Sequence, residues 1–506
     1  METLRLLAKY FLAALLTLVL LPASLTQQSR PKAVPEQPPA IPPAQCQPAP
    51  KIQTETHISA AEAQELFRSV DSILKFASED TRLAIHQRVK RELASREQVQ
   101  SYIQERIKND EDAQRLQRSE LVLKKFGLLP PEFNLRAFLV QLLREQVAGY
   151  YNPKNKTVYM LDWVEPEAQR PVLAHELTHA LQDQNFQLEK WANLGRDPRS
   201  DQKKTGQDSD QDPESDEQIA AREAVVEGQA MAVLIDYLLA PSGRSLADSP
   251  MIADAIKMGM MQGSASPILE SAPLYIREAL MFPYRYGLGF VREVLVKSGK
   301  EQAFAGIFRK PPQNTRQVME PATYLQGERL EPLRIPNLPA ILGPSYQRYD
   351  QGAVGEFDIS VILRQYATPQ ISQRLTPAWR GGYYYTGHKA NGATGNLALV
   401  YISKWASKEA AAEFADAYAS ALGKRYKILP DSKMLDQDSG AARWRTEQGA
   451  ILIEASGDLV LVVENFEDTD ARKIREAVFA SSRAGLATPK ARSATETSIS
   501  LPAGLH

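Results

Sequence analysis

The sequence predicts an α+β protein, in which a mainly helical domain with a small β-hairpin or sheet is followed by a separate α+β domain. Three observations carry this. Apolar residues recur at helical spacing early in the chain, as in Leu66, Phe67, Val70, Ile73 and Leu74. A proline cluster, Pro332, Pro336, Pro339 and Pro344, then breaks the pattern. Beyond it, short β-favouring runs alternate with helical stretches. At 506 residues the chain is long enough for two or three domains with real cores. A formal net charge of −1 with 24% charged residues gives no electrostatic footprint for nucleic acid, so no nucleic-acid partner is expected.

Residues 1–26 read as a signal peptide: Arg5 and Lys9 precede an apolar run from Tyr10 to Leu21, and Pro22-Ala23-Ser24 follows. The run is too short to span a bilayer comfortably. An uncleaved anchor is the alternative, and membrane contact is expected only through this segment. The protein is therefore expected to be exported, to the periplasm, cell envelope or extracellular space. Residues 27–53 form a proline-rich tether that favours extended polyproline. Its Cys46 is the only cysteine, so no intramolecular disulfide framework exists. Residues 54–118 are expected to form a helical, prodomain-like layer that opens on the capping box Ser59-Ala60-Ala61-Glu62. The stretch from Arg82 to Lys125 reads as long exposed helices.

Within residues 119–330, a helix is expected from Leu135 to Val147. Gly149 to Met160 then looks like a hairpin around Asn152-Pro153, either an ordinary edge or a strand to which an extended peptide could add. The next stretch, Pro171 to Leu181, contains His175-Glu176-Leu177-Thr178-His179, the H-E-x-x-H pattern. On a helix beginning at Pro171, the two imidazoles lie one turn apart on one face, able to share a Zn2+ ion, with Glu176 beside them as general base. A catalytic zinc needs a third protein ligand. Asn193 to Glu217 is acidic and reads as a solvated loop. In the helix that follows, Gln218 to Leu239, Glu223 and Glu227 share a face at i and i+4 among apolar neighbours, where an unpaired carboxylate is costly. One of the two can bind metal while the other orients a ligand histidine.

Together these residues resemble the gluzincin metallopeptidases. Glu227-Gly228-Gln229-Ala230 is similar to the E-G-x-A ligand motif of aminopeptidase-N-like members, which implies Glu227 as third ligand. Thermolysin-like members place the ligand in E-x-x-x-D, which would pick Glu223. The string from His175 to Gln184, with Val147 to Tyr151 before it and Pro311 through Tyr324 after it, resembles a bacterial group of exported gluzincin-like proteins over roughly residues 115 to 330. That group has a histidine where this chain has Glu320.

Tyr284, in Phe282-Pro283-Tyr284-Arg285-Tyr286-Gly287, is the candidate to stabilise an oxyanion, the alternative being a packing residue with a hydrogen-bonded hydroxyl. Met251, Met258, Met260 and Met261 read as core or loop filler. Residues 331–344 form a proline-rich linker, and residues 345–486 an α+β domain with no nucleophile, base and orienter set. His388 reads there as a loop residue. Residues 487–506 form a polar tail.

The expected activity is that of a zinc metallopeptidase, with Glu176 deprotonating a zinc-bound water that attacks a peptide or protein substrate. The alternatives are a non-catalytic metal-stapled scaffold of the cell envelope and a gluzincin-fold hydrolase acting on a non-peptide bond.

Overall fold

A computed structural model describes residues 57–107, 110–146, 149–192, 214–249, 267–390, 396–430, 434–435 and 441–483. The signal segment, the tether with Cys46, the acidic stretch from residue 193 to 213, the four methionines named above and the tail lie outside them. The fold is α+β, as the patterning predicts. The chain divides into two compact units, one running to Leu330 and taking in Asp350–Tyr384, the other formed by Glu331–Tyr349 with the residues from Tyr385 onward.

In chain order the first unit contains α1 (Ala60–Thr81), β1 (Lys90–Ala94), α2 (Arg96–Ile107), α3 (Asp110–Lys125), α4 (Leu135–Gln146), β2 (Tyr150–Asn152) and β3 (Thr157–Leu161). There follow α5 (Pro166–Phe186), α6 (Leu188–Ala192), α7 (Glu214–Leu239), α8 (Leu274–Phe282), α9 (Leu288–Glu301) and α10 (Thr315–Met319). α1 starts at the expected capping box: the Glu62 N–H donates to Ser59 Oγ, and the Ser59 N–H donates to Glu62 Oε2 at 2.7 Å. Its apolar stripe of Leu66, Val70, Ile73 and Leu74 is buried, with α5 and α7 packed on this helix. The N-terminal helix is thus part of the core that carries the motif.

The predicted hairpin is present, with Tyr150 opposite Tyr159 and Asn152 opposite Thr157. The sheet is nevertheless three-stranded, in the order β1-β3-β2. β1 pairs in parallel with β3, Lys90 with Thr157 through Ala94 with Leu161, where the sequence suggests only helix. Its strand partner lies far along the chain, so neither turn chemistry nor local periodicity announces it.

α5 begins five residues before the expected start, with Pro166 in the first turn, and Pro171 falls inside the helix. An interior proline removes a backbone hydrogen bond and crowds the preceding turn. Tertiary bonds hold that turn. Gln169 donates to Leu161 O at 2.9 Å and Val164 O at 2.5 Å, and accepts from the Leu161 N–H at 2.8 Å. The acidic run also ends differently from expectation. Glu214 to Glu217 belong to α7, and Asp216 and Glu217 are buried, with Glu217 Oε2 accepting from Thr315 N–H at 2.9 Å and Thr315 Oγ1 at 2.8 Å.

The second unit is built on a seven-stranded sheet ordered β4-β5-β6-β10-β9-β8-β7, comprising β4 (Tyr346–Ala353), β5 (Trp379–Lys389), β6 (Ala398–Trp405), β7 (Met434–Leu435), β8 (Ala442–Thr446), β9 (Gly449–Ser456) and β10 (Leu459–Glu464). The Leu459-Val-Leu-Val-Val run is wholly buried as β10, and the β9–β10 hairpin turns at Gly457, whose φ of 59° suits glycine. Helices α12 (Lys408–Arg425) and α13 (Asp468–Arg483) pack on this sheet. The chain crosses between the units inside β4 and β5, so α11 (Glu356–Tyr366) belongs to the first unit, where Tyr275 donates to Asp358 at 2.8 Å. The sequence reading had placed all of 345–486 in one domain and 331–344 in a linker. That linker contains a helical turn, Leu338–Leu342, capped by Asn337. His388 sits in β5, its ring 6.3 Å from that of Tyr349, rather than in a loop.

Asp80 on α1 and Lys300 on α9 form an ion pair beside Asp236 on α7. Burial, and then the Asp80 charge, push the Asp236 carboxyl from 3.8 up to about 7. A carboxyl raised on folding stabilises the native state fully only at low pH, and the benefit is lost as pH rises through its folded value. The denaturant midpoint of the wild type should therefore fall between about pH 5 and about pH 8.5 more than that of Asp236→Asn, which keeps the acceptor for the Leu246 N–H. Equal slopes in the two proteins would contradict this account.

Candidate metal centre

The site is assembled by the periodicity of α5. His175, His179 and Gln182 follow one another at i, i+4 and i+7 on one line of the helix, and Glu176 and Asp183 at i and i+7 on the adjoining line. The helix is buried from Pro171 to Asp183, so none of these polar side chains has water to turn to. Each must find a partner within the fold.

The first line faces α7. His175 Nε2 and His179 Nε2 lie 3.0 Å apart, with Glu227 Oε2 3.2 Å from the former and Oε1 3.6 Å from the latter. One donor atom from each of the three residues falls within 4.8 Å of the other two. All three side chains are at most 1% exposed. The cluster contains Glu227 and not Glu223, which lies one turn earlier on α7.

The hydrogen bonds beyond the cluster settle which nitrogen of His179 carries the proton. Gln182 Nε2 donates to Val226 O at 3.1 Å and Gln229 Oε1 at 2.9 Å, and Gln229 Nε2 donates to Ala303 O at 2.7 Å and Phe304 O at 3.0 Å. Backbone carbonyls only accept, so both amide orientations are fixed. Gln182 Oε1 is then left to accept from His179 Nδ1 at 2.9 Å, which makes Nδ1 the protonated nitrogen and leaves a lone pair on Nε2. A glutamine therefore orients the ligand histidine, in place of the second glutamate expected from sequence.

Burial holds both imidazoles neutral at pH 7, pushing His175 down to about 3 and His179 to about 4. It raises Glu227 to about 7, against the downward pull of His179 and the Tyr284 hydroxyl. Glu176 is raised well above the usual carboxylate range, first by burial and then by the Glu227 charge. His175 Nδ1, Glu176 Oε1 and both Glu227 oxygens lack a well-formed hydrogen bond among the described residues, although Tyr284 stands close enough to Glu227 to stabilise its charge. Two imidazole nitrogens and a carboxylate oxygen thus converge in a dry interior, and this set of ligand types fits a metal ion.

The second line of α5 faces the hairpin. Glu176 Oε2 accepts the Tyr151 N–H at 2.7 Å, while the Tyr151 hydroxyl donates to Asp183 Oδ2 at 2.9 Å and Lys156 Nζ pairs with the same oxygen at 2.5 Å. Tyr151 is tied to the helix two turns apart, and its N–H is taken by Glu176 rather than left for an added strand.

Tyr284 is buried on a π-helical turn, Pro283–Gly287, packed against α7. Two glycines permit that approach. A Cβ on Gly228 would lie 2.3 Å from the Gly287 carbonyl carbon, and one on Gly287 would lie 2.1 Å from Ala224 O. The glycine after Glu227 is therefore a requirement of backbone contact, and it seats the Tyr284 hydroxyl on the Glu227 carboxylate. Glu320 precedes the short helix Pro321–Leu325 without a side-chain capping bond and is absent from the metal cluster.

Gln182, Gln229, Tyr151 and Asp183 were not singled out from sequence. Continuing the 175–179 line one more step reaches Gln182, and that is the signal that could have found it.

Residues 345–475 match the model of a domain of unknown function, DUF8575. That segment lies outside α5 and α7, which carry the metal cluster. No curated protein and no solved structure matches the chain.

Two outcomes are expected. His175→Ala, His179→Ala and Glu227→Gln should each lose bound divalent metal by elemental analysis, whereas Glu223→Gln should keep it. Retention in Glu227→Gln with loss in Glu223→Gln would move the ligand. Separately, Gly228→Ala should lower stability by about 1–3 kcal/mol or more, because backbone must shift to admit the methyl. An unchanged unfolding midpoint would show that the contact at Gly287 yields without cost.

Proposed function

We propose that the protein is an exported zinc metallopeptidase that hydrolyses peptide bonds in a peptide or protein substrate. The observation that carries this is Glu176. It lies next to a buried His, His, Glu set without belonging to it, one oxygen fixed by the Tyr151 N–H and the other, Oε1, without a partner. A structural metal site needs no such residue.

Two histidines and one carboxylate form the ligand set of a catalytic zinc that keeps an open position. Zinc held there supplies a Lewis acid for a carbonyl oxygen and lowers the pKa of water to about 7. The remaining work falls to the chain. Glu176 Oε1 takes the proton from the attacking water and returns it to the departing amine nitrogen, while the Tyr151 N–H keeps Oε2 in place. Apolar neighbours such as Val172, Leu173 and Leu177 exclude bulk water, which strengthens each electrostatic contact. Tyr284 holds the Glu227 carboxylate in this arrangement, and to serve as oxyanion donor its hydroxyl must leave that carboxylate.

A second reading, a metal-stapled scaffold without catalysis, draws on one observation: the three ligands and Glu176 are all at most 1% exposed. The two readings part at Glu176→Gln. In the peptidase this variant keeps its metal and fold but loses about 10²- to 10⁴-fold in turnover of a quenched-fluorescence peptide library. A variant that cleaves as fast as wild type, or a zinc-loaded wild type that cleaves nothing, transfers the site to the scaffold reading.

A further inference from the structure

We propose that Gln182 and Gln229 form a neutral amide relay that locks His179 in its metal-binding tautomer, and that this lock contributes to metal affinity. The inference rests on the metal reading above and adds residues that the H-E-x-x-H pattern and the following glutamate do not include.

The relay has a direction. It begins at two backbone carbonyls, Ala303 O and Phe304 O, inside a π-helical turn, Gln302–Gly306, that follows the break in α9 at Gly299. A π turn bonds i to i+5, so its carbonyls are displaced from ordinary helical pairing and can accept from a side chain. They take both Gln229 amide hydrogens and thereby turn Gln229 Oε1 toward Gln182. Gln182 answers with its amide nitrogen, which also donates to Val226 O, and its own Oε1 has only His179 Nδ1 to face. Three carbonyl acceptors thus dictate, through two amides, that His179 presents a lone pair from Nε2.

Gln182 and Gln229 are 0% exposed, so no water competes for these bonds and neither amide can turn over without leaving donors facing acceptors. His175 has no matching device among the described residues, since its Nδ1 lacks a hydrogen-bond partner. The two histidines are therefore unequal. His179 is the fixed edge of the site and His175 the adaptable one. Amides carry no charge, so the relay orients the imidazole without adding a further carboxyl group to a site that already holds Glu176 and Glu227. Both are positioning residues, acting on the metal only through His179.

The test is zinc affinity measured by competition with a chromophoric chelator, combined with the tautomer state read by long-range ¹⁵N–¹H correlation in the metal-free chain labelled at its six histidines. Gln182→Met keeps the volume and removes the acceptor. It should weaken zinc binding about 10- to 100-fold and turn the His179 signal from one tautomer into a mixture. Gln182→Glu restores an acceptor at Nδ1 but sets its other oxygen against Val226 O and Gln229 Oε1, so it should return the His179 signal to one tautomer without restoring wild-type affinity. Gln229→Met should weaken binding on its own and add nothing in the Gln182→Met background, because both act through one chain of bonds. A merely structural role would give additive losses and an unchanged tautomer. Wild-type affinity with a single tautomer in Gln182→Met overturns the relay. If Gln182→Met does not fold, Gln229→Met is read in the same two ways, with the same outcomes deciding. If the wild type binds no zinc, the metal reading fails separately, and the tautomer spectra of the metal-free proteins still decide the relay.

Discussion

Two imidazoles and a carboxylate brought together in a dry interior are the constraint around which the first unit is arranged. Leaving a buried polar group unmatched costs about 1–3 kcal/mol, and a domain has only about 5–15 kcal/mol in total. His175, His179 and Glu227 are gathered where no water reaches them, and a metal ion could answer all three at once. The surrounding packing serves that end. α1 covers α5, Gly228 and Gly287 let backbone touch backbone, and the hairpin grips α5 through Tyr151 at two levels. Each of these contacts would be an unusual way to stabilise a helix whose face was simply apolar.

The two π turns give α9 a particular place in this arrangement. One, at its N-terminal end, sets Tyr284 against Glu227, and the other, at its C-terminal end, supplies the carbonyls that Gln229 reads. The helix between them is broken at Gly299 (φ 78°, ψ 173°), so the two turns belong to separate helical runs that bear on different members of the cluster. Departures from regular helical pairing beside a site are the pattern expected where geometry there outweighs local regularity.

What was legible in the sequence was what local patterning encodes. The capping box at Ser59, the hairpin after Gly149, the spacing of His175 and His179, and the short strands beyond residue 380 are all written within a few neighbouring residues. What was not legible depends on partners far away in the chain. β1 is a strand because β3 lies beside it, and Glu217 is buried because Thr315 offers two donors. The E-G-x-A resemblance favours Glu227 over Glu223, and it is Glu227 that the packing of α7 on α5 brings into the cluster with the two histidines. Gln182 carries no signal in composition or charge, and its role emerges only once Val226 and Gln229 are brought to it.

The parallel pairing of β1 with β3 bears on how such a protein could be held latent. A removable propeptide is joined to its enzyme by a surface that water can replace once the chain is cut. Residues 90–94 are instead a strand of the sheet that carries Tyr151, and α1 lies on the helix that carries both histidines. Cleavage after this region, followed by release of the fragment, would bare the edge of β3 and the apolar flank of α5 together, leaving a sticky intermediate prone to pair with other chains. The N-terminal helix and strand are thus built into the same core and sheet as the elements that carry the candidate site.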